Sequence, residues 1–299
     1  MQKGIHAKCA TDCAQIVLSI PDCFGYAEIC RIRDIAAQHR LKIAQVISES
    51  CAAALYVDYS EKFRDKEAYT LFFFNAIDHL KSMSYYEAGD GVIDPLGTFF
   101  PDKSDKGEQK ETLKYHRDYL TANKTYILKY LFSKRAKVYL IGDQAEAETM
   151  LKTVKGMRVG PSEMDKLDIR SLKSGCIAFG AGLMGAIHSK ELEDVVILCQ
   201  TSPYDLCVCL DGATQNLIER ETAIPTRKAI ELTVQGTQVI KLREKRGANS
   251  FLDLGSCIVS PEKNAVKAML TVEIDARNNI QMTVADQAGT VLGTLSLRN

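Results

Sequence analysis

No stretch of the sequence approaches the roughly 18 consecutive apolar residues that a membrane-crossing helix needs, so no membrane partner is expected. The opening residues lack the apolar core and small-residue cleavage site of a signal peptide. Charge of one sign is lacking too: 38 basic residues meet 38 acidic ones, so composition implies no polyanionic partner. Ten cysteines are present but none falls in a Cys-x-x-Cys pair, and neither the Cys9–Cys13 nor the Cys207–Cys209 spacing matches a zinc pattern. Without a secretory leader, the expectation is reduced thiols in a cytoplasmic protein, most of them small buried apolar fillers.

What is present suffices for two domains, because single cores usually split by about 250–300 residues. Gln15 to Ile20 is a β-branched apolar run stopped by Pro21, which predicts a buried strand. Tyr26 to Leu41 has helical spacing, Ile43 to Ile47 reads as a strand, and Ser48 is placed to cap an alanine-rich helix from Cys51 to Val57. Strand, helix, strand, helix predicts a mostly parallel sheet covered by helices. Tyr69 to Phe74 is a further strand. Asp90 to Gly107, with its glycines, prolines and charges, reads as a loop or an eroded insertion.

Gln109 to Phe132 reads as one or two helices. Its Lys114, Lys124 and Lys129, with Lys134 and Arg135 just beyond, would form a basic face for RNA, but interspersed acids favour an ordinary solvated helix, and no direct DNA binding is expected. The α/β pattern resumes with a strand at Lys137 to Ile141, Gly142, and a helix from Ala145 to Val154. Lys173 to Ser189 is a helix built on Gly175, Ala178, Gly180, Ala181, Gly182, Gly185 and Ala186. Each glycine costs a solvated helix roughly 1 kcal/mol relative to alanine, so close packing against another element is expected.

The pattern changes between Asp194 and Arg227. Before this stretch it is α/β; after it no convincing helix appears, and short strands follow at Leu206–Leu210, Asn216–Arg220, Ala229–Val234, Thr237–Arg243, Lys267–Ile274, Ile280–Ala285 and Val291–Leu297. Asp211-Gly212 and Asp275 to Asn279 read as turns. Strands at this spacing predict an antiparallel sandwich.

The same stretch carries a resemblance. Leu217-Ile-Glu-Arg-Glu-Thr-Ala-Ile-Pro-Thr-Arg-Lys228 resembles Leu-Ile-x-Arg-Asn-Thr-x-Ile-Pro-Thr-Lys-Lys of the heat shock protein 70 (DnaK-type) chaperone family. Gly175 to Gly182 resembles that family's last nucleotide-domain helix, Ser202 to Leu206 its Thr-Pro-Leu-Ser-Leu, and Val272 to Asp286 a hairpin near the end of its sandwich. Upstream, Ile16 to Phe24 is similar to Val-Val-Thr-Val-Pro-Ala-Tyr-Phe, and Ile47 to Tyr56 to Ile-Asn-Glu-Pro-Thr-Ala-Ala-Ala-x-Ala-Tyr, all in colinear order.

The resemblance implies an α/β architecture, a truncated actin-like (ribonuclease-H-like) ATPase domain over 1–190, then an interdomain linker over 191–200 and an all-β peptide-binding-type sandwich over 201–299, with no helical lid because the sequence stops at Asn299. It matches Glu49 to the family's catalytic-site glutamate, Pro21 to its switch proline and Gly142 to one glycine of its adenosine loop. It also shows what is missing. The family holds ATP with glycine-rich loops whose amides approach the phosphates. The first such loop would precede residue 1; the second falls near Thr70 to Asp78, which has no glycine and three phenylalanines; of the third only Gly142 remains, before the acidic Asp143. The arginine that couples the domains aligns with Ile29. Glu49 is therefore either an ATPase acid or, as expected here, a relict, since a lone carboxylate cannot position phosphoryl transfer. No ATP and no enzymatic activity are expected.

Matched peptide-groove positions fall on Val208, Leu232 and Val239, which serve either an extended peptide or an ordinary sandwich core. The matched linker is Asp194, Val195, Val196, Ile197 and Leu198, expected to be permanently set rather than driven by nucleotide. The resulting expectation is a heat shock protein 70-like protein without ATPase cycling. It would act as a chaperone-complex or ribosome-associated binding or scaffold subunit, with a J-protein, the ribosome and unfolded or nascent peptide as partners. The alternatives are a lidless peptide-binding module, or an ATP-dependent chaperone represented by a truncated gene model.

Overall fold

A computed structural model of the chain describes residues 16–62, 68–77, 80–100, 135–155, 167–173, 175–192, 197–198, 200–220, 222–246, 250–261, 265–275 and 278–297. The helices expected within 109–132 and the linker positions Asp194, Val195 and Val196 lie outside these residues. The chain divides into two units, one of Met1–Phe24 with Arg31–Cys199, the other of Gly25–Cys30 with Gln200–Asn299. Among the described residues strands outnumber helices, so β structure dominates.

In chain order come β1 (Ile16–Ile20), α1 (Tyr26–Gln38), β2 (Ile43–Ser48) and α2 (Glu49–Glu61), with β1 and β2 parallel as their pattern predicted. Ser48 caps α2 from an extended conformation (φ −74°, ψ 156°), its hydroxyl accepting from the Cys51 amide at 3.2 Å. Then follow β3 (Tyr69–Ile77), β4 (Leu80–Gly89), β5 (Val92–Phe99), β6 (Ala136–Gly142), α3 (Gln144–Lys155), β7 (Asp168–Ser171), α4 (Cys176–His188) and β8 (Ile197–Leu198).

These strands build a six-stranded sheet in the order β7-β6-β3-β4-β5-β8. It is mixed, not mostly parallel: β3 and β4 pair antiparallel, as do β4 and β5, while β3/β6, β6/β7 and β5/β8 are parallel. The expected loop after Asp90 is also corrected. Asp90 and Gly91 both adopt positive φ (50° and 77°), the geometry of a two-residue hairpin turn, and Val92–Phe99 returns as β5. Among the described residues β8 pairs only with Val92 and Ile93, so Pro95 withdraws no ladder hydrogen bond from it.

The three consecutive phenylalanines of β3 follow from burial on both faces of the sheet. Phe73 joins the cluster containing Ala52, Ala53 and Leu55 of α2 and Met184 of α4. Phe72 and Phe74 point the other way, into a cluster with Ala147, Met150 and Leu151 of α3. One glycine of α4 does what its cost demanded: a Cβ on Gly180 would collide with the Ala52 carbonyl of α2, so the two helices meet backbone to backbone there.

The second unit is an antiparallel sandwich. One sheet has the order β10-β9-β12-β13, the other β11-β14-β15-β16. Its strands are β9 (Asp205–Leu210), β10 (Ala213–Ile218), β11 (Thr226–Val234), β12 (Gln238–Lys245), β13 (Phe251–Val259), β14 (Val266–Ile274), β15 (Ile280–Asp286) and β16 (Val291–Leu297). A Cβ on Gly255 of β13 would lie 3.0 Å from the Leu295 side chain of β16, which shows how closely the two layers approach. β13 has no counterpart in the sequence reading, because a register shift after its partner Leu242 breaks the alternation.

Candidate functional site

In the first unit, polar side chains converge where β1 ends, α2 begins and the β3–β4 pair passes beneath them. Asp22, directly after Pro21, is buried. Its Oδ1 accepts from the Ser50 amide at 3.1 Å and the Ser50 hydroxyl at 2.7 Å, and its Oδ2 accepts from the Ser82 hydroxyl. The Ser50 hydroxyl has one proton, given to Asp22, so the Tyr86 hydroxyl 2.7 Å away must donate to Ser50. Register explains the gathering: Asn75 of β3 stands opposite Ser82 of β4, and Phe73 opposite Ser84, all on the face turned to α2. Ser84 is fully buried and its hydroxyl has no partner among the described residues.

Glu49, the first residue of α2, accepts from the Asn75 side-chain amide at 2.9 Å and stands one position from Ser50. Glu49 and Pro21 are thus brought to one locality. Gly142 ends β6, the parallel neighbour of β3, at a positive φ of 82°. Only glycine fits there, since a Cβ would strike the Ala76 carbonyl, which also accepts from the Asp143 amide at 2.8 Å. Asp143 then caps α3, its carboxylate accepting from the Glu146 amide at 2.9 Å. At both helix starts an internal carboxylate takes up amide donors that would otherwise face an incoming anion. Across the expected second phosphate turn, β3 runs as regular strand to Ile77 with Phe72, Phe73 and Phe74 buried.

The sandwich does not bring Val208, Leu232 and Val239 to one surface. Val208 lies opposite Leu242 on the inward face of its sheet and is buried. Leu232 is half-buried in the other sheet, opposite the buried Ala268. Val239 is three residues from Leu242, hence on the opposite, outer face, where it is 48% exposed beside its cross-strand partner Ile258 at 65%. Of the linker positions, Ile197 and Leu198 form β8, in register with Val92 and Ile93.

Asp22, Ser50, Ser82 and Tyr86 escaped the sequence reading. The available signal was Ser82-Met-Ser-Tyr-Tyr86, a strand whose small polar residues alternate with buried apolar ones beside a partner that is apolar from Leu71 to Phe74. Among the described residues no cluster of His, Cys, Asp or Glu could hold a metal ion, and no helix is long and apolar enough to cross a membrane.

No protein-family model matches the chain. Over 96 residues it is 32% identical to the chaperone protein DnaK of Methanothermobacter thermautotrophicus, a match that covers 31% of this chain and 15% of that protein.

Proposed function

We propose that this chain is a heat shock protein 70-like protein without an ATPase cycle, working as a binding or scaffold subunit of a chaperone complex at the ribosome, with a J-protein as partner. In this reading the first unit is a degenerate actin-like nucleotide domain, and the second a sandwich of the peptide-binding type. The similarity to DnaK supports the chaperone class. The loss of cycling rests on two observations: the helix starts at Ser50 and Glu146 donate to Asp22 and Asp143, and β3 carries buried phenylalanines where a glycine turn would cradle phosphate. Glu49, held by the neutral amide of Asn75, then has no phosphoryl group to act on. Titration calorimetry with magnesium and ATP should give no saturable heat; one-to-one binding would overturn the loss of cycling. Co-sedimentation with ribosomes and capture by a J-protein should each enrich the chain, and enrichment by neither removes the partner assignment.

A second reading, a lidless peptide-binding module, is favoured by the exposed Val239–Ile258 pair, an apolar spot on the outer sheet face. An extended apolar peptide labelled with a fluorophore should then lose affinity on Val239→Glu. Unchanged anisotropy would discard this reading. Val208→Glu is no test of it, because a carboxylate on the inner face opposite Leu242 would unfold the sandwich whatever its ligand.

A further inference from the structure

Each sheet of the sandwich has one end strand that pairs on a single side among the described residues: β10 in one, β11 in the other. The opposite ends meet, since a Cβ on Gly293 of β16 would lie 3.0 Å from the Ile258 carbonyl of β13. β10 is six residues long and slips register between Asn216 and Ile218. β11 is nine residues in unbroken register with β14, from Thr226 opposite Ile274 to Val234 opposite Val266. It contains no proline and no bulge, two of the usual protections of a free edge, and carries its charge on Arg227, Lys228 and Glu231.

We propose that β11 is a dimerisation edge, pairing antiparallel with β11 of a second copy about a twofold axis at Ala229. An axis perpendicular to the sheet keeps outward side chains outward, so residues that face each other must differ by an even number of positions. Centred on Ala229, this rule sets Arg227 opposite Glu231 of the partner subunit and Glu231 opposite the partner's Arg227. Both residues are exposed and on the outer face. Lys228 then meets the partner's Ile230, and Thr226 the partner's Leu232.

Neighbouring registers are worse. Moving the axis to Lys228 stacks two ammonium groups on each other. Moving it to Ile230 leaves Arg227 facing a threonine and Glu231 facing an alanine. The charge pattern is therefore self-complementary in one register, where like charges opposite each other would have blocked association. Arg227 already holds Glu273 of β14 at 3.0 Å, and its five N–H donors allow the guanidinium to bridge that carboxylate and the partner's Glu231.

Sedimentation velocity from about 1 to 200 µM, a range that brackets the affinity of a modest interface, should show a monomer–dimer equilibrium. Arg227→Glu and Glu231→Arg should each weaken it about ten-fold or more, because both symmetry-related pairs become like-charged. An equimolar mixture of the two variants should dimerise about as well as the parent, since two carboxylates on one copy then face two guanidinium groups on the other. A parent monomeric throughout, a dimer indifferent to both substitutions, or a mixture no tighter than either variant alone would overturn the proposal. If a variant fails to fold by circular dichroism, amide exchange on the unaltered protein decides. The edge amides of β11 should gain protection as concentration rises, and concentration-independent exchange refutes the pairing.

Discussion

Asp22 and Ser50, 28 positions apart, are joined twice: the serine amide donates to Oδ1 at 3.1 Å and the serine hydroxyl to the same oxygen at 2.7 Å. With Ser82 on the other oxygen, the carboxylate is held by three neutral donors in a buried site. Truncation strands those donors, and unsatisfied buried groups cost more than a bond gains. Asp22→Ala should therefore lower stability by about 3 kcal/mol, and Ser82→Ala, which leaves the other two bonds intact, by about 1 kcal/mol. Urea unfolding measures both; equal midpoints for Asp22→Ala and the parent would mean that the cluster contributes nothing.

Glu61, at the end of α2, should govern part of the acid limb of stability. Burial alone would raise its pKa. Hydrogen bonds from Lys137 at 2.6 Å and Tyr139 at 2.7 Å, with the charges of Lys137 and Arg170, outweigh burial and hold it below the ordinary carboxylate value of 4.5. A carboxylate with a lowered folded pKa contributes stability that is complete above its unfolded value and lost as pH falls through the folded one. Stability should thus decline below about pH 4.5, and Glu61→Gln should flatten that decline while lowering stability at pH 7. Thermal unfolding from pH 3 to 7 would show it, and parallel curves for parent and variant would rule it out.

Much of the fold is legible in the sequence because its signals are local. Pro21 ends β1, Ser48 caps α2, Asp211 and Gly212 take the positive φ values of a tight turn, and the sandwich strands from Lys267 onward alternate. β4 and β5 are harder to read, since Ser82 and Ser84 put polar groups at buried positions and Pro95 interrupts an apparent strand. The site depends on distant pairing: Ser82 lies 60 positions from Asp22, and nothing local to either announces the other. The peptide-groove positions fail to gather for a similar reason. Val208 and Val239 are both aliphatic, but only the pairing of Val208 with Leu242 reveals that they face opposite sides.

Glu244 should behave in the opposite sense to Glu61. It is fully buried, and that burial pushes its pKa up despite the nearby charges of Arg246 and Arg220. Arg246 donates to Oε2 at 2.9 Å, whereas Oε1 has no partner among the described residues. A raised folded pKa means a stability contribution that is complete below the unfolded value and lost as pH rises through the folded one. Glu244→Gln removes that loss, and Arg246 keeps Glu28 at 2.8 Å as its counter-ion. The stability of Glu244→Gln relative to the parent should therefore rise from pH 5 to pH 8. A relative stability that falls over that interval would show that the ion pair outweighs desolvation.

Gly180 and Gly182 lie two positions apart on α4 and make opposite predictions. A Cβ on Gly180 would overlap the Ala52 carbonyl oxygen, a backbone atom of α2 that cannot swing aside. Gly180→Ala must push the helices apart and loosen the cluster around Ala53, Leu55 and Met184, so a loss of about 2–3 kcal/mol is expected. A Cβ on Gly182 meets nothing within 4 Å, so Gly182→Ala adds only helix propensity and should stabilise by about 0.5–1 kcal/mol. Chemical denaturation of the two variants beside the parent separates packing from propensity. If both substitutions stabilise, α4 does not rest on α2 at Ala52; if both destabilise, the open face at Gly182 is covered.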